Sequence, residues 1–162
     1  MKKIKAILAC DNQGGVSKNG TLPWPHNSTD LQWFKTHTLN GIVVMGSTTW
    51  KDPHMPRPLP NRHNVLVTST PNQYPGAHEY VSEKLCGNLV EINLNRPEQM
   101  WIIGGPNIIN QTLEIIDIFY ISRIPGDYNC DTFLPLDKIY KMFELIYSGV
   151  KDGVTFEIWS KK

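Results

Sequence analysis

Cysteine is scarce in this 162-residue chain: Cys10, Cys86 and Cys130 are the only three, and no two form a Cys-x-x-Cys pair. An odd, scattered set of thiols excludes a disulfide framework or a zinc site as the organising device. The five histidines (His26, His37, His54, His63 and His78) also lack a ligand spacing such as His-x-x-x-His, and all five read as surface or loop residues. No metal is expected. Charge of one sign is missing as well. Sixteen Lys and Arg against 15 Asp and Glu leave a formal net charge of +1, spread along the chain rather than clustered, which gives nucleic acid no footprint. No apolar run reaches membrane-spanning length, because charges, proline or glycine interrupt each one. The run after Met1-Lys2-Lys3 stops at Asp11, too short for a secretory leader. The expectation is a cytoplasmic protein, monomeric by default.

What is present is ordinary for a globular chain: 40% hydrophobic and 19% charged residues. β-Branched runs alternate with helical periods. Ile4 to Cys10 reads as a strand, and Asn12 to Pro25, with three glycines and two prolines, as a long functional loop. Ser28 or Thr29 is positioned to cap a helix that runs to about Leu39. Ile42 to Met45 and Met100 to Ile103 are short all-apolar runs, as buried parallel strands require. A short helix follows from Ser47. Pro53, Pro56, Pro58 and Pro60 then forbid regular structure. Asn64 to Val67 and Asp117 to Ile124 read as strands, Ser82 as the cap of a helix through Cys86, and Pro106 as a first helical residue. Phe143 to Tyr147 and Val154 to Trp159 flank Asp152-Gly153 as a closing hairpin. Strand–helix alternation means right-handed crossovers. With no linker or repeat, residues 1–162 are expected to form one α/β domain with a mostly parallel sheet. Functional residues should then follow the carboxyl ends of strands.

Some positions carry chemistry with two readings. Asp30, in a first helical turn, complements the helix dipole; equally, before Leu31, Trp33 and Phe34, it is an acid at the wall of an apolar pocket, with its pKa raised by burial. Gly104-Gly105 before a helix lets backbone approach an anion, though the pattern alone is weak.

Taken together, the motifs resemble dihydrofolate reductase. Asn19-Gly20-x-Leu22-Pro23-Trp24 is followed by Asp30 and Trp33-Phe34-Lys35. Met45-Gly46-x-x-Thr49-Trp50, Arg57-Pro58-Leu59-Pro60-x-Arg62-x-Asn64, Ile103-Gly104-Gly105 and Asp131-Thr132-x-x-Pro135 then follow in the family's order. The resemblance implies a central eight-stranded sheet with about four flanking helices. It implies NADPH-dependent reduction of dihydrofolate, which supplies one-carbon carriers, and binding of antifolates. Asp30 would hold the pterin 2-amino group and N3, aided by the Ser122 hydroxyl where the family has Thr. Trp24 and Leu22 would belong to a loop closing over the nicotinamide. Ile7 and Ile103 would offer backbone carbonyls to the ring. Leu31, Phe34, Met55 and Leu59 would line the benzoyl part, although core packing explains these four equally well. Arg62 would clamp the glutamate α-carboxylate as a bidentate pair, with Lys35 and Arg57 adding a weaker field. The cofactor side would draw on Ala9, Val16, Asn19, Gly20, Gly46, Ser47, Thr48, Thr49, Thr68, Ser69 and Thr70, then on Ile103 through Ile109 (Gly104, Gly105, Pro106, Asn107 and Ile108 between them), and on Thr132. The family joins its two glycines by a cis peptide, and the same is expected here.

Departures cluster on the cofactor side. Ser17 replaces a loop glycine, and Ser47 and Asn107 stand where the family has basic residues. Ile109 stands where many members have an aromatic, and Lys51 to Pro56 is about two residues longer than in short bacterial members. With no Arg for a 2′-phosphate among them, NADPH remains the cofactor the resemblance implies, held by hydroxyls, with a reduced preference over NADH as the alternative. Two alternatives are a riboflavin-pathway pyrimidine reductase, which should lack the Leu-Pro-Trp to Asp spacing and Arg62, and a non-catalytic copy of the fold, which would lose the acid first.

Overall fold

The computed structural model describes residues 1–162. In chain order the elements are β1 (Ile4–Cys10), β2 (Gly15–Ser17), α1 (Ser28–Thr38), β3 (Ile42–Gly46), α2 (Ser47–Trp50), β4 (His63–Val67), β5 (Glu79–Val81), α3 (Leu85–Asn95), β6 (Met100–Gly104), α4 (Pro106–Thr112), β7 (Ile118–Arg123), β8 (Thr132–Phe133), α5 (Leu136–Met142), β9 (Phe143–Lys151) and β10 (Val154–Lys161). Eight strands form one sheet in the order β5-β4-β3-β6-β1-β7-β10-β9; β2 and β8 pair separately. Within the large sheet only β10 runs against its neighbours, β7 and β9. Asp152 and Gly153, with φ of 52° and 82°, supply the left-handed pair that a two-residue hairpin turn requires.

The all-apolar strands are buried on both faces, and the period of two divides them between two clusters. Ile42, Val44, Met100 and Ile102 face one side with Leu89 of α3, Ile108 and Ile109 of α4 and Ile139 of α5. Val43, Met45, Trp101 and Ile103 face the other, where Trp33 and Phe34 of α1 pack together with Met55 and Leu59. No helix is long and apolar enough to cross a membrane.

Several local expectations need correction. α1 is capped by Asn27, whose side chain accepts from the Asp30 N–H at 3.0 Å, not by Ser28 or Thr29. The helix of residue 82 begins only at Leu85, after β5, with Lys84 at φ 48° and no side-chain cap; it extends to Asn95. Gly87, Asn88 and Asn93 are poor helix formers, and burial of Leu89 and Ile92 overrides them. The long loop contains β2. A fifth helix, α5, is so short that Ile139 is its only buried residue, and its apolar spacing merges with that of β9. His37 is half-buried on α1 rather than in a loop: it packs edge-on to Trp33 at 4.3 Å and to Tyr120 at 5.0 Å. Burial and nearby Lys5 push its pKa down. His63 opens β4 rather than a loop and bonds Glu79 at 2.9 Å.

Phe119 is fully buried and meets Phe143 edge to face at 6.2 Å, which ties β7 to the start of β9. Phe119→Ala is expected to lower stability by about 3–5 kcal/mol, read from the midpoint of urea unfolding at unchanged m-value.

Candidate active site

The sheet's parallel pairing brings the carboxyl ends of β1, β3, β6 and β7 into one row. Ala9 lies in register with Ser122, Ile7 with Tyr120, and Met45 with Gly104. Sequence-distant positions therefore become neighbours without any long side chain reaching across.

On one side of the row stands Asp30. The Asn27 cap holds the first turn of α1 so that this carboxylate points inward, 9% exposed. Burial pushes its pKa above the ordinary carboxylate value, and the Ser122 hydroxyl beside it works in the opposite direction. Trp33, one turn on, stacks on Phe156 of β10 at 4.3 Å. Trp24 is buried against Ile124, Val154 and Phe156, with Tyr128 edge-on at 6.0 Å. Trp24 is thus an anchor for the loop, while Leu22 stands out from it at 41% exposure.

The predicted apolar wall is assembled: Ile7, Leu59 and Ile103 share a cluster against which Phe34 and Met55 pack. Leu31, on the same helix, is exposed, as a residue facing an open cleft is. Arg62 is fixed at the far end of α1. Its Nε donates to the Pro60 carbonyl at 2.9 Å and its Nη1 to the Thr38 hydroxyl at 3.1 Å. Asn64 braces the same turn: its side chain accepts from Leu59 N–H and donates to the carbonyls of Leu59 and Arg62. Lys35 is exposed on α1. Arg57 is not brought to Arg62; it borders a separate concavity with Lys51, Trp50 and Tyr74.

On the other side, β3 and β6 end side by side and each runs into a short helix. The Gly104–Gly105 peptide is cis, as expected. A Cβ on Gly46 would meet Ile108 at 2.9 Å, so that glycine lets α4 close on β3. A Cβ on Gly105 would meet nothing nearer than the Thr49 hydroxyl at 3.8 Å, which leaves the backbone open to approach there. Ser47, Thr48 and Thr49 head α2, and Pro106 and Asn107 open α4, with Ile109 fully buried beneath. After β4, Thr68 turns its hydroxyl back on the Thr70 N–H at 3.1 Å; Ser69 and Thr70 are exposed. This donor set is hydroxyls, one amide and backbone N–H groups. It fits a phosphate-bearing cofactor through neutral donors, with no Arg or Lys among them.

The loop between β1 and α1 crosses both sides. Lys18 and Thr21 bridge around Asn19 and Gly20, with φ of 52° and 81°. A Cβ on Gly20 would lie 3.8 Å from Thr48, and the Thr21 hydroxyl bonds Asp52 at 3.2 Å. The turn therefore rests on the segment around α2.

Behind the turn, the loop is tied to residues 126–134. Val16 is buried in β2, and Ser17 and Thr132 join hydroxyl to hydroxyl. The Asn19 N–H donates to Asp131 at 2.9 Å. Thr132 thus belongs to the loop's support.

The hub of that support, Asp11, escaped the sequence reading. Its fully buried carboxylate accepts from the N–H groups of Gln13 (2.9 Å), Gly15 (2.8 Å) and Tyr128 (3.0 Å). Burial acts to raise its pKa, but the three N–H bonds outweigh it and hold the carboxyl below its usual range. The Cys130 thiol, pushed up to about 11 by burial and Asp11, stays protonated beside it. The available signal was an Asp closing a strand just ahead of a Gly-Gly pair. Thr38 and Asn64, which fix Arg62, carried no comparable signal.

Comparison with known proteins agrees with this layout. The family model for dihydrofolate reductase matches residues 3–152. The dihydrofolate reductase of Gallus gallus is 28% identical, over 99% of this chain and 97% of that protein. That of Bacillus subtilis is 32% identical, over 82% of this chain and 75% of that one. A solved structure of the Enterococcus faecalis dihydrofolate reductase complexed with NADP(H) and RAB-propyl superposes with a TM-score of 0.80 at 27% identity, over 99% of this chain and 96% of that one. Matched across most of its length in sequence and in fold, the chain belongs to the dihydrofolate reductase family.

Proposed function

We propose that the protein reduces 7,8-dihydrofolate to 5,6,7,8-tetrahydrofolate with NADPH. One observation carries the reading: a single buried carboxylate, Asp30, stands beside a buried hydroxyl at the edge of an apolar wall, with a fixed guanidinium at the far end of the same helix. Family membership and the NADP(H) complex of the Enterococcus faecalis relative support it.

In this reading Asp30 receives the pterin 2-amino group and N3 through paired, charge-assisted hydrogen bonds, and Ser122 orients it. Its raised pKa suits a group that shares a proton with the ring as N5 becomes protonated. Ile7, Leu31, Phe34, Met55, Leu59 and Ile103 enclose the ring and the benzoyl part, and Arg62 holds the α-carboxylate. Bound NADPH supplies the hydride. The residues placed to hold it are Ala9, Gly46 to Thr49, Thr68 to Thr70 and Gly104 to Ile109, under the loop of Val16, Asn19, Gly20 and Leu22. With Trp24 as its anchor, that loop excludes water from the reacting atoms. The reading is of a monomeric cytoplasmic enzyme, and its unclustered charge supports one that does not bind nucleic acid.

Asp30→Asn is expected to lower kcat/KM at pH 7 by about 100-fold or more, followed as loss of NADPH absorbance with dihydrofolate. Full activity in the variant would remove Asp30 from this role, and absence of turnover in the wild type would remove the reading itself. The same variant should show the opposite effect on stability. Because burial raises the folded-state pKa above the unfolded value, the carboxyl's contribution is fully present below about pH 4 and is lost as pH rises through the folded value. Ligand-free Asp30→Asn should therefore melt above the wild type at pH 7–8, with the gap narrowing towards pH 4. For the cofactor, the all-neutral donor set predicts a kcat/KM ratio of NADPH to NADH closer to unity than to a thousandfold. A ratio near a thousand, about 4 kcal/mol, would mean that a cation reaches the 2′-phosphate.

A further inference from the structure

We infer that His78 is a positioning residue for the substrate: its neutral ring holds Asn64, which holds the turn that carries Arg62, and a proton on that ring loosens the hold. The inference rests on the proposed reduction of dihydrofolate, with Arg62 on the α-carboxylate. It adds a residue that touches no ligand.

Asn64 lies in β4 and is fully buried. Across from it stands His78, one residue before the first paired residues of β4 and β5, Val65 and Glu79. This one residue takes both backbone groups that Asn64 turns towards β5. The His78 N–H donates to the Asn64 carbonyl at 3.0 Å, and His78 Nδ1 accepts the Asn64 N–H at 2.8 Å. A side chain thus stands in for the carbonyl that a longer β5 would supply. The Asn64 amide passes the hold on. It accepts from the Leu59 N–H at 2.9 Å and donates to the carbonyls of Leu59 and Arg62, each at 3.0 Å. Those bonds close the 59–62 turn, from which the Arg62 guanidinium reaches the Pro60 carbonyl and the Thr38 hydroxyl.

The direction of the ring's bond decides its chemistry. Nδ1 is the acceptor, so the neutral ring carries its proton on Nε2. A second proton has only Nδ1 to occupy, where it would set two donors 2.8 Å apart. His78 is exposed, so the ring resolves that conflict by turning out into solvent. The N–H of a fully buried residue then loses its acceptor, which is the costly way to break a hydrogen bond. Imidazoles change charge between roughly pH 5 and 8. The groups that face the ring come from four segments. His63 of β4 stacks on it at 5.5 Å and bonds Glu79 of β5. Arg62 of the turn, and Arg96 and Glu98 beyond α3, line the same polar concavity, which Asn40 closes. Arg96 is paired with Glu98 at 2.7 Å, which leaves His63 as the other imidazole at this wall.

The test measures kcat and KM at pH 5.5 and 7.5 with saturating NADPH, for dihydrofolate and for 6-methyl-7,8-dihydropterin, which keeps the ring and lacks the glutamate. Protonation at Asp30 and N5 acts on both substrates alike, so the ratio of their kcat/KM values isolates the carboxylate grip. In the wild type that ratio should fall about fivefold from pH 7.5 to 5.5, through a rise in KM for dihydrofolate. His78→Leu should raise that KM about fivefold already at pH 7.5, with kcat kept within about twofold and a ratio that no longer changes with pH. His78→Asn, whose Oδ1 takes the place of Nδ1 and binds no proton, should restore the wild-type KM and keep it at both pH values. His63→Gln removes the other imidazole and should leave the wild-type pH dependence in place. Wild type against His78→Asn on dihydrofolate alone reads the same difference, because Asp30 is common to both. A pH-independent ratio in the wild type, or a wild-type KM in His78→Leu, overturns the inference while dihydrofolate turnover stands. So does a dependence that survives in His78→Asn or vanishes in His63→Gln. Absence of turnover with dihydrofolate overturns the underlying reading as well.

Discussion

The parallel pairing of β1 with β6 on one side and β7 on the other is the constraint on which the rest depends. A strand flanked in this way cannot continue into a hairpin, and its chain must leave at the carboxyl end. Here that departure falls at Asp11, inside the fold, with the N–H groups of a glycine-rich loop left over. One carboxylate collects two of them, from Gln13 and Gly15, together with the Tyr128 N–H, and so binds the 12–24 loop to the 126–134 segment. The support of the lid thus follows from the way the central strand ends.

Asp11 and Asp30 make an instructive pair. Both are buried acids, and burial acts upward on both. Asp11 is met by three backbone N–H groups and is held low, whereas Asp30 has a single serine hydroxyl beside it and is held high. Donor count contributes to that difference. A carboxylate saturated by backbone has nothing left to offer a ligand and becomes structural. One that is deprived of donors keeps its oxygens for whatever enters.

Much of this was legible in the chain itself. The buried strands announced themselves by all-apolar composition, and strand–helix alternation carried the parallel sheet. The order of Leu-Pro-Trp, Asp30, Arg62 and the double glycine carried the site. What stayed hidden was hidden for local reasons. Asn27 caps α1 although serine and threonine follow it directly, so composition offered three equivalent choices. Three-residue strands such as β2 and β5 hold too few residues to display a period. Arg57 and Arg62 look alike beside their prolines, and only the packing of Thr38 and Asn64 directs one of them along α1 while the other faces Lys51. The two concavities were beyond sequence reading because their walls are drawn from separate segments, in one case from Asn40 to Glu98.

The floor under Asp30 comes from the far end of the chain. Trp33 stacks on Phe156, and Trp24 rests on Val154 and Phe156, both residues of β10, which inserts between β7 and β9 rather than adding to an edge. Synthesis therefore delivers the helix, the acid and the glycine pair before the strand that supports them. A nascent chain short of residue 156 leaves Trp24 and Trp33 without their apolar floor.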